Sequence, residues 1–297
     1  MTPESPRCGY VALVGRPNVG KSTLLNQIVG RKLSITSRKP QTTRHNLLGV
    51  DSSGTTQAIY VDTPGIHEGG GRAMNRYMVR AATSVLHDVD IIVLVVERLR
   101  FGDDDQRVVD LIKRAPGRKL CVINKIDQLE ERERLLPHIA KLDELGVFEA
   151  IIPMSALRGN GVEQLKQEVL SRLPEGPHLF PPDQVTDRSE RFIAGEIVRE
   201  KLMRRLGDEL PHRIAVVVDG YVAKKRLVEI DATIFVEREG QKAIIIGHKG
   251  GMLKSVGQDA RVDIEALVGC KVMLRLWVKV KAGWSNNAAG LKRLGFE

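Results

Sequence analysis

Eight residues, Gly15-Arg-Pro-Asn-Val-Gly-Lys-Ser22, constrain this chain more than any other stretch. They follow a β-rich apolar run at 10–14 and open a segment with helical spacing at 21–30. That strand-loop-helix context is what gives such a glycine spacing chemical meaning. Glycine at 15 and 20 lets the backbone turn so that successive amides converge on an anion, and the helix starting there adds the positive end of its dipole. Lys21 can then reach outer phosphates as a point charge, and the Ser22 hydroxyl can ligate Mg²⁺ between two of them.

The rest of the N-terminal half supplies a frame for this loop. Short apolar runs at 10–14, 57–61, 91–96, 119–123 and 150–153 alternate with helical patterns at 21–30, 73–87, 103–115, 130–146 and 162–173. Asp103 is the expected cap of the third helix and Gly146 the stop of the fourth. The alternation predicts an α/β fold with a doubly wound, mostly parallel sheet.

Pro174, Pro177, Pro181 and Pro182 interrupt this pattern, removing amide donors and restricting their neighbours. The expected domains are therefore 1–173, a proline-rich linker at 174–186, and 187–297. In the last of these a helical pattern at 187–206 precedes alternating runs at 213–222 and 227–237, a helix at 249–267 and a strand at 270–280. This is a smaller α+β unit. In its final strand Val272, Leu274, Leu276, Val278 and Val280 alternate with Lys271, Arg275 and Lys279, so one face rests on a core.

Composition narrows the function classes. A chain of 297 residues suits roughly two domains, and 42% apolar with 28% charged residues suits a globular protein. Lys and Arg outnumber Asp and Glu by 46 to 37, an excess shared by both halves that makes a polyanion partner plausible. Three cysteines, far apart and beside apolar runs, point to a reducing cytosol without a disulfide or zinc site. The longest apolar run, 91–96, is far below the ~20 residues of a membrane span, so neither secretion nor membrane insertion is expected.

Three further motifs follow apolar strands. Asp62-Thr-Pro-Gly65 offers a carboxylate that can reach Mg²⁺ through water and a glycine amide that can sense a γ-phosphate. Asn124-Lys-Ile-Asp127 offers a carboxylate that can accept from both N1–H and the exocyclic amine of guanine. Adenine lacks that donor pair, and a site built for it would reject adenine by roughly 10⁴-fold. Ser155-Ala156 supplies small residues whose backbone amides can approach the guanine carbonyl oxygen.

These four motifs in this order resemble the translation-factor-related class of small GTPases, and Gln41-Thr-Thr-Arg-His45 fits its first switch. The resemblance implies a nucleotide site made of Gly15, Arg16, Pro17, Asn18, Val19, Gly20, Lys21, Ser22 and Thr23, with Gln41, Thr42 and Thr43. Asp62, Thr63, Pro64, Gly65, Asn124, Lys125, Asp127, Ser155 and Ala156 complete it. Mg²⁺ would be held by Ser22, Asp62 and a switch threonine, either Thr42 or, as the favoured choice, Thr43. Lys21, Thr43, Gly65 and Asn18 form the expected catalytic set. Ile66 stands where Ras-like enzymes carry a water-orienting glutamine. Similar GTPases with a hydrophobic residue there carry a P-loop asparagine that binds K⁺, and Asn18 matches it. Turnover in the range of unassisted switches, roughly 10⁻⁴ to 10⁻² s⁻¹, is expected. Glu68-Gly-Gly-Gly-Arg72 in the second switch is unusually rich in glycine.

In the C-terminal half, Gly247-His-Lys-Gly250 joins a segment at 241–246, ambiguous between strand and helix, to the helix that follows. A Gly-x-x-Gly loop between helices can clamp a nucleic-acid backbone. The element order resembles the type II KH domain, with Ile246, Gly247, His248, Lys249, Gly250 and Lys254 as RNA contacts. Apolar groove positions are expected along 244–246 and 252–256. Both halves, with the phrases Glu237-Arg-Glu-Gly-Gln-Lys242 and Leu276-Trp-Val-Lys-Val-Lys-Ala-Gly-Trp284, resemble the Era family of P-loop GTPases over nearly the whole chain. The family implies GTP and GDP as ligands and the small ribosomal subunit, near the 3′ end of its RNA, as partner. It further implies a role in subunit maturation, a monomer, and a cytoplasmic location with a peripheral fraction on the inner membrane face.

Overall fold

The structure, a computed structural model, describes residues 5–37, 39, 41–66, 73–207, 210–292 and 294. The glycine-rich stretch at 68–72 lies outside the described residues. The chain divides into two compact units. One comprises Met1–Ser34, Thr43–Gly69 and Tyr77–Asp187; the other comprises Ile35–Thr42, Gly70–Arg76 and Arg188–Glu297.

The first unit is built on a six-stranded sheet in the order β2-β3-β1-β4-β5-β6. The strands are β1 Arg7–Val14, β2 Leu47–Ser53, β3 Thr56–Asp62, β4 Ile91–Glu97, β5 Arg118–Asn124 and β6 Ala150–Pro153. All pair in parallel except β2, which runs antiparallel to β3 from Leu47↔Asp62 to Ser53↔Thr56. Helices α1 Lys21–Val29, α2 Ala73–Ser84, α3 Asp103–Lys113, α4 Leu135–Asp143 and α5 Val162–Leu170 connect the strands. Strand β4 is buried along its whole length, as expected when both faces of a parallel sheet are covered. The strand order reverses beside β1, so the loop after Val14 emerges at the topological switch point where such folds bind ligands.

Several boundaries differ from the sequence expectation. Strand β2 was not anticipated: Leu-Leu-Gly-Val-Asp-Ser-Ser has little periodicity, and it forms as an edge hairpin with β3. Helix α3 is capped by Gly102 instead of Asp103, with Asp105 Oδ2 accepting from the Gly102 amide at 3.1 Å. Helix α4 starts only at Leu135, which puts Pro137 in the first turn, where a missing N–H costs nothing. Residues 174–186, expected as a linker, lie along the first unit. The fully buried Gln57 accepts from the amides of Leu179 and Phe180 at 2.8 and 2.9 Å and donates to Phe180 O at 2.8 Å. The Val50 amide donates to Val185 O at 2.9 Å, and Thr186 Oγ1 to Leu48 O at 2.7 Å.

The second unit holds α6 Glu190–Arg205, β7 Ala215–Lys224, β8 Leu227–Val236, α7 Glu239–Ile246, α8 Gly251–Val268, β9 Lys271–Val280 and α9 Ala288–Lys292. Its sheet has the order β7-β8-β9, antiparallel between β7 and β8 with a bulge at Val218/Gly220, and parallel between β8 and β9. The ambiguous stretch before Gly247 is helical. Side-chain capping decides it at its start: Gln241 Oε1 accepts from the amides of Glu237 and Arg238 at 2.8 and 3.1 Å. No helix among the described residues is long and apolar enough to cross a membrane.

Candidate functional site

The loop after β1 needs glycine at both expected positions. Gly15 has φ 148°, and a Cβ there would sit 2.4 Å from Val95 O. Gly20 has φ 103° and forms the left-handed cap of α1; its Cβ would sit 2.2 Å from Asn124 Nδ2. Asn18 also adopts positive φ, 65°, a conformation asparagine tolerates better than most residues. Val19 is buried, and Thr23 is half-buried on the first turn of α1. Lys21 lies under the loop, with Nζ donating to Gly15 O at 2.9 Å and Arg16 O at 3.0 Å. Burial pulls its ammonium down to about 8, with the Asp62 carboxylate opposing and the Arg16 charge assisting.

A knot of oxygens lies at the start of α1. Asp62 Oδ2 accepts from Ser22 Oγ at 2.6 Å, Ser34 Oγ at 2.8 Å and Thr43 Oγ1 at 3.4 Å. The Ser22 and Thr43 hydroxyls are 2.8 Å apart. Asp62 is fully buried, and its Oδ1 has no hydrogen-bond partner among the described residues. Burial pushes its carboxyl up, against the hydrogen bonds and the Lys21 charge. A set of hard oxygen donors with an unsatisfied carboxylate oxygen fits Mg²⁺. Ser34 was not legible as a member; Asn26 places it, its Oδ1 accepting from the amides of Leu33 and Ser34 at 2.9 Å each.

The rest of the Asp62-Thr-Pro-Gly65 turn is structural in its side chains. Thr63 Oγ1 points inward to Leu13 O at 2.8 Å, and Pro64 is buried. A Cβ on Gly65 would sit 2.7 Å from the Pro17 backbone, so this turn rests directly on the phosphate loop. The Ile66 amide donates to Gly15 O at 3.2 Å, and its side chain joins the core formed by Val14, Leu94 and Val108.

Asn124 ties three loops together. Its Nδ2 donates to Val19 O at 2.8 Å, and its Oδ1 accepts from the amides of Lys125 and Ala156 at 2.8 and 2.9 Å. The Ala156 amide, expected near the guanine oxygen, donates to Asn124. Asp127 is exposed and oriented by Ser155, whose Oγ donates to Oδ1 at 2.6 Å.

The Arg16 side chain turns to two carboxylates beside the loop. Its Nη2 donates to Glu97 Oε2 at 3.0 Å and its Nε to Asp105 Oδ2 at 3.2 Å, so the guanidinium is engaged beside the loop. Lys125, at φ 65°, donates to Asn18 O at 2.7 Å and to Glu97 Oε1 at 3.1 Å. Burial raises the Glu97 carboxyl, but the Lys125 and Arg16 contacts outweigh it and hold it below its ordinary range. Sequence spacing gave no sign of Glu97 or Asp105.

Gln41 and Thr42 fall in the second unit. Gln41 Nε2 donates to Asn75 Oδ1 at 2.9 Å, and Thr42 Oγ1 to Lys39 O at 2.7 Å. The Thr42 carbonyl accepts from Arg199 Nη2 of α6 at 2.5 Å. The two threonines therefore diverge: Thr43, not Thr42, has its hydroxyl beside Ser22.

The Gly247-His-Lys-Gly250 loop joins α7 to α8. Gly247 (φ 71°, ψ 178°) adopts a conformation open essentially to glycine, and a Cβ there would meet Met252 at 2.6 Å. Lys249 also has positive φ, 48°, and His248, Lys249 and Lys254 are exposed. Of the expected groove residues, Ile244 is exposed and Ile246 half-buried, whereas Ile245 and Val256 belong to the core.

Comparison with known proteins agrees with both halves. Residues 10–125 match the family described as 50S ribosome-binding GTPase, and residues 209–285 match the KH domain. The chain is 56% identical to GTPase Era of Marinobacter nauticus over 99% of its length and 97% of the relative's. It is 53% identical to GTPase Era of Pseudomonas aeruginosa, covering 99% and 96% of the two chains. Among solved structures, it is similar to Era in complex with MgGDPNP and nucleotides 1506–1542 of 16S ribosomal RNA. The TM-score is 0.93, with 38% identity over 98% of this chain and 99% of that one. The loop geometry and these relatives together establish that the chain is a GTPase and belongs to the GTPase Era family.

Proposed function

We propose that this chain is a slow, Mg²⁺-dependent GTP switch that binds RNA near the 3′ end of the small-subunit ribosomal RNA during subunit maturation. The observation that carries the reading is the convergence of Ser22, Thr43 and Asp62 oxygens within 3.4 Å at the mouth of the phosphate loop. Ser22 and Thr43 would ligate the ion directly and Asp62 through water. When bound, Mg²⁺ would neutralise charge on the β and γ phosphate oxygens.

The remaining roles fall to protein groups. Lys21 would leave the loop carbonyls for the phosphates, and the Gly65 amide would sense the γ-phosphate. Asp127 would accept from guanine while Asn124 holds its loop against the phosphate loop. Ile66, a core residue, has no group with which to orient water, which supports slow turnover. Asn18 would contribute to a K⁺ site that supplies positive charge beside the phosphates. Relatives of this family include the Era structure with GDPNP and 16S ribosomal RNA. The exposed His248, Lys249 and Lys254 would meet RNA phosphate, with Ile246 beside the bases.

The test pairs turnover with attachment. GTP hydrolysis should fall at least 100-fold in Lys21→Ala, and the protein should co-sediment with small ribosomal subunits in preference to anionic liposomes. Turnover that survives Lys21→Ala, or sedimentation with liposomes alone, contradicts the reading.

A further inference from the structure

The phrase from Leu276 to Trp284 is not used by either site described above, yet it places a tryptophan in solvent. In β9 the inward residues follow Leu276, whose Cδ1 lies 3.5 Å from where a Cβ on Gly257 of α8 would be. Helix α6 lies on the same side, since a Cβ on Gly195 would meet Val218 at 3.3 Å. Among the described residues, the outward positions of β9 on the opposite face are exposed. Trp277 and Met273 are each 45% exposed there, and Val222 is 52% exposed. Tryptophan is usually among the more buried residues, so this position calls for an explanation.

Charge on that face is unevenly satisfied. Asp231 accepts from Arg275 at 2.5 and 3.1 Å, Glu229 is paired with Lys224, and Asp219 accepts from Thr233 Oγ1 at 2.6 Å. Its acids are thus each engaged by a neighbour. Lys279, two residues beyond Trp277, projects from the same face and is exposed. Lys281 lies over the Phe235 ring, 5.7 Å from its centroid. Protein interfaces are enriched in tryptophan and methionine but depleted in lysine, and this face sets Lys279 beside Trp277. It suits a flexible polyanion whose bases can stack.

We infer that this face is a second RNA-binding surface of the domain, separate from the Gly-x-x-Gly loop. Trp277 is the stacking platform for an unpaired base, and Lys279 and Lys281 meet the flanking phosphates. The inference rests on the RNA-binding reading above and extends the RNA path beyond the few nucleotides that a Gly-x-x-Gly groove clamps.

The chain has two tryptophans, and Trp284 is only 1% exposed, so emission quenching by RNA reports on Trp277. The full chain would be titrated with a synthetic 37-nucleotide RNA of the small-subunit 3′ end, with affinity measured independently by filter binding. RNA should quench wild-type emission. Trp277→Ala should weaken binding roughly 5- to 100-fold, the range of one lost base stack, with Trp277→Phe restoring most of it. Lys279→Glu should weaken binding and flatten its salt dependence. If Lys249→Glu weakens binding while Trp277→Ala and Lys279→Glu do not, the surface is overturned and the RNA reading stands. If the wild-type chain fails to bind this RNA, both are overturned. If these variants lose attachment to small subunits but keep the RNA affinity, the face docks protein and the inference is overturned.

Discussion

Asn124 donates from Nδ2 to the carbonyl of Val19 at 2.8 Å, making the base-recognition loop and the phosphate loop one mechanical part. With the same amide accepting from Lys125 and Ala156, a side chain only 2% exposed anchors three loops. Asn124→Ala would leave buried backbone groups unpaired. Denaturant unfolding should show a loss of roughly 2–3 kcal/mol. Competition binding should show GTP and GDP weakened by similar factors, because both share the base and the loop.

Asp127 is exposed and aimed by Ser155, so it can be changed without disturbing the core. In Asp127→Asn the acceptor pair becomes a donor and an acceptor. Xanthine, which carries an oxygen in place of the guanine amine, should then be preferred. A GTP affinity lower by about 10²-fold or more, with XTP gaining, is the expected outcome of competition assays.

Ser34 donates to the same Asp62 oxygen as Ser22 and Thr43 and is not itself among the expected Mg²⁺ ligands. Ser34→Ala should cost about 1 kcal/mol of stability and raise the Mg²⁺ concentration needed for half-maximal turnover. Chelation of Mg²⁺ should reduce GTP affinity in the wild type and have a smaller effect in Asp62→Asn. A Mg²⁺ titration of GTP turnover checks the first, and GTP binding with and without chelator checks the second.

Asn18 sits at positive φ on the outer edge of the phosphate loop, with its carbonyl held by Lys125. If its side chain contributes to a K⁺ site, wild-type turnover in KCl should exceed that in NaCl, and Asn18→Ala should abolish the difference. Equal rates in the two salts for the wild type would exclude a catalytic K⁺ site at Asn18.

What the sequence disclosed and what it concealed follow from range. Gly15, Gly20, Lys21 and Ser22 act through backbone turns and a helix start within eight residues, and such local requirements leave a readable spacing. Gln57, Glu97 and Asp105 act on residues 81 to 123 positions away, through pairings that only the folded sheet creates. Strand β2 was missed because an edge strand needs little apolar periodicity, and α7 was ambiguous because Ala-Ile-Ile-Ile suits either element until Gln241 caps the turn. The side chains of Arg16 and Thr63 turn to Glu97 and to Leu13 O because motif membership locates the backbone and leaves side-chain direction to the neighbours.

The central claim is that one chain joins a GTP switch to RNA binding. Its most direct test is the affinity of the intact protein for the 37-nucleotide RNA of the small-subunit 3′ end, measured with a non-hydrolysable GTP analogue and with GDP. The two affinities should differ about fivefold, roughly 1 kcal/mol of coupling, with the difference lost in Lys21→Ala. Equal affinity in the two nucleotide states would contradict the claim.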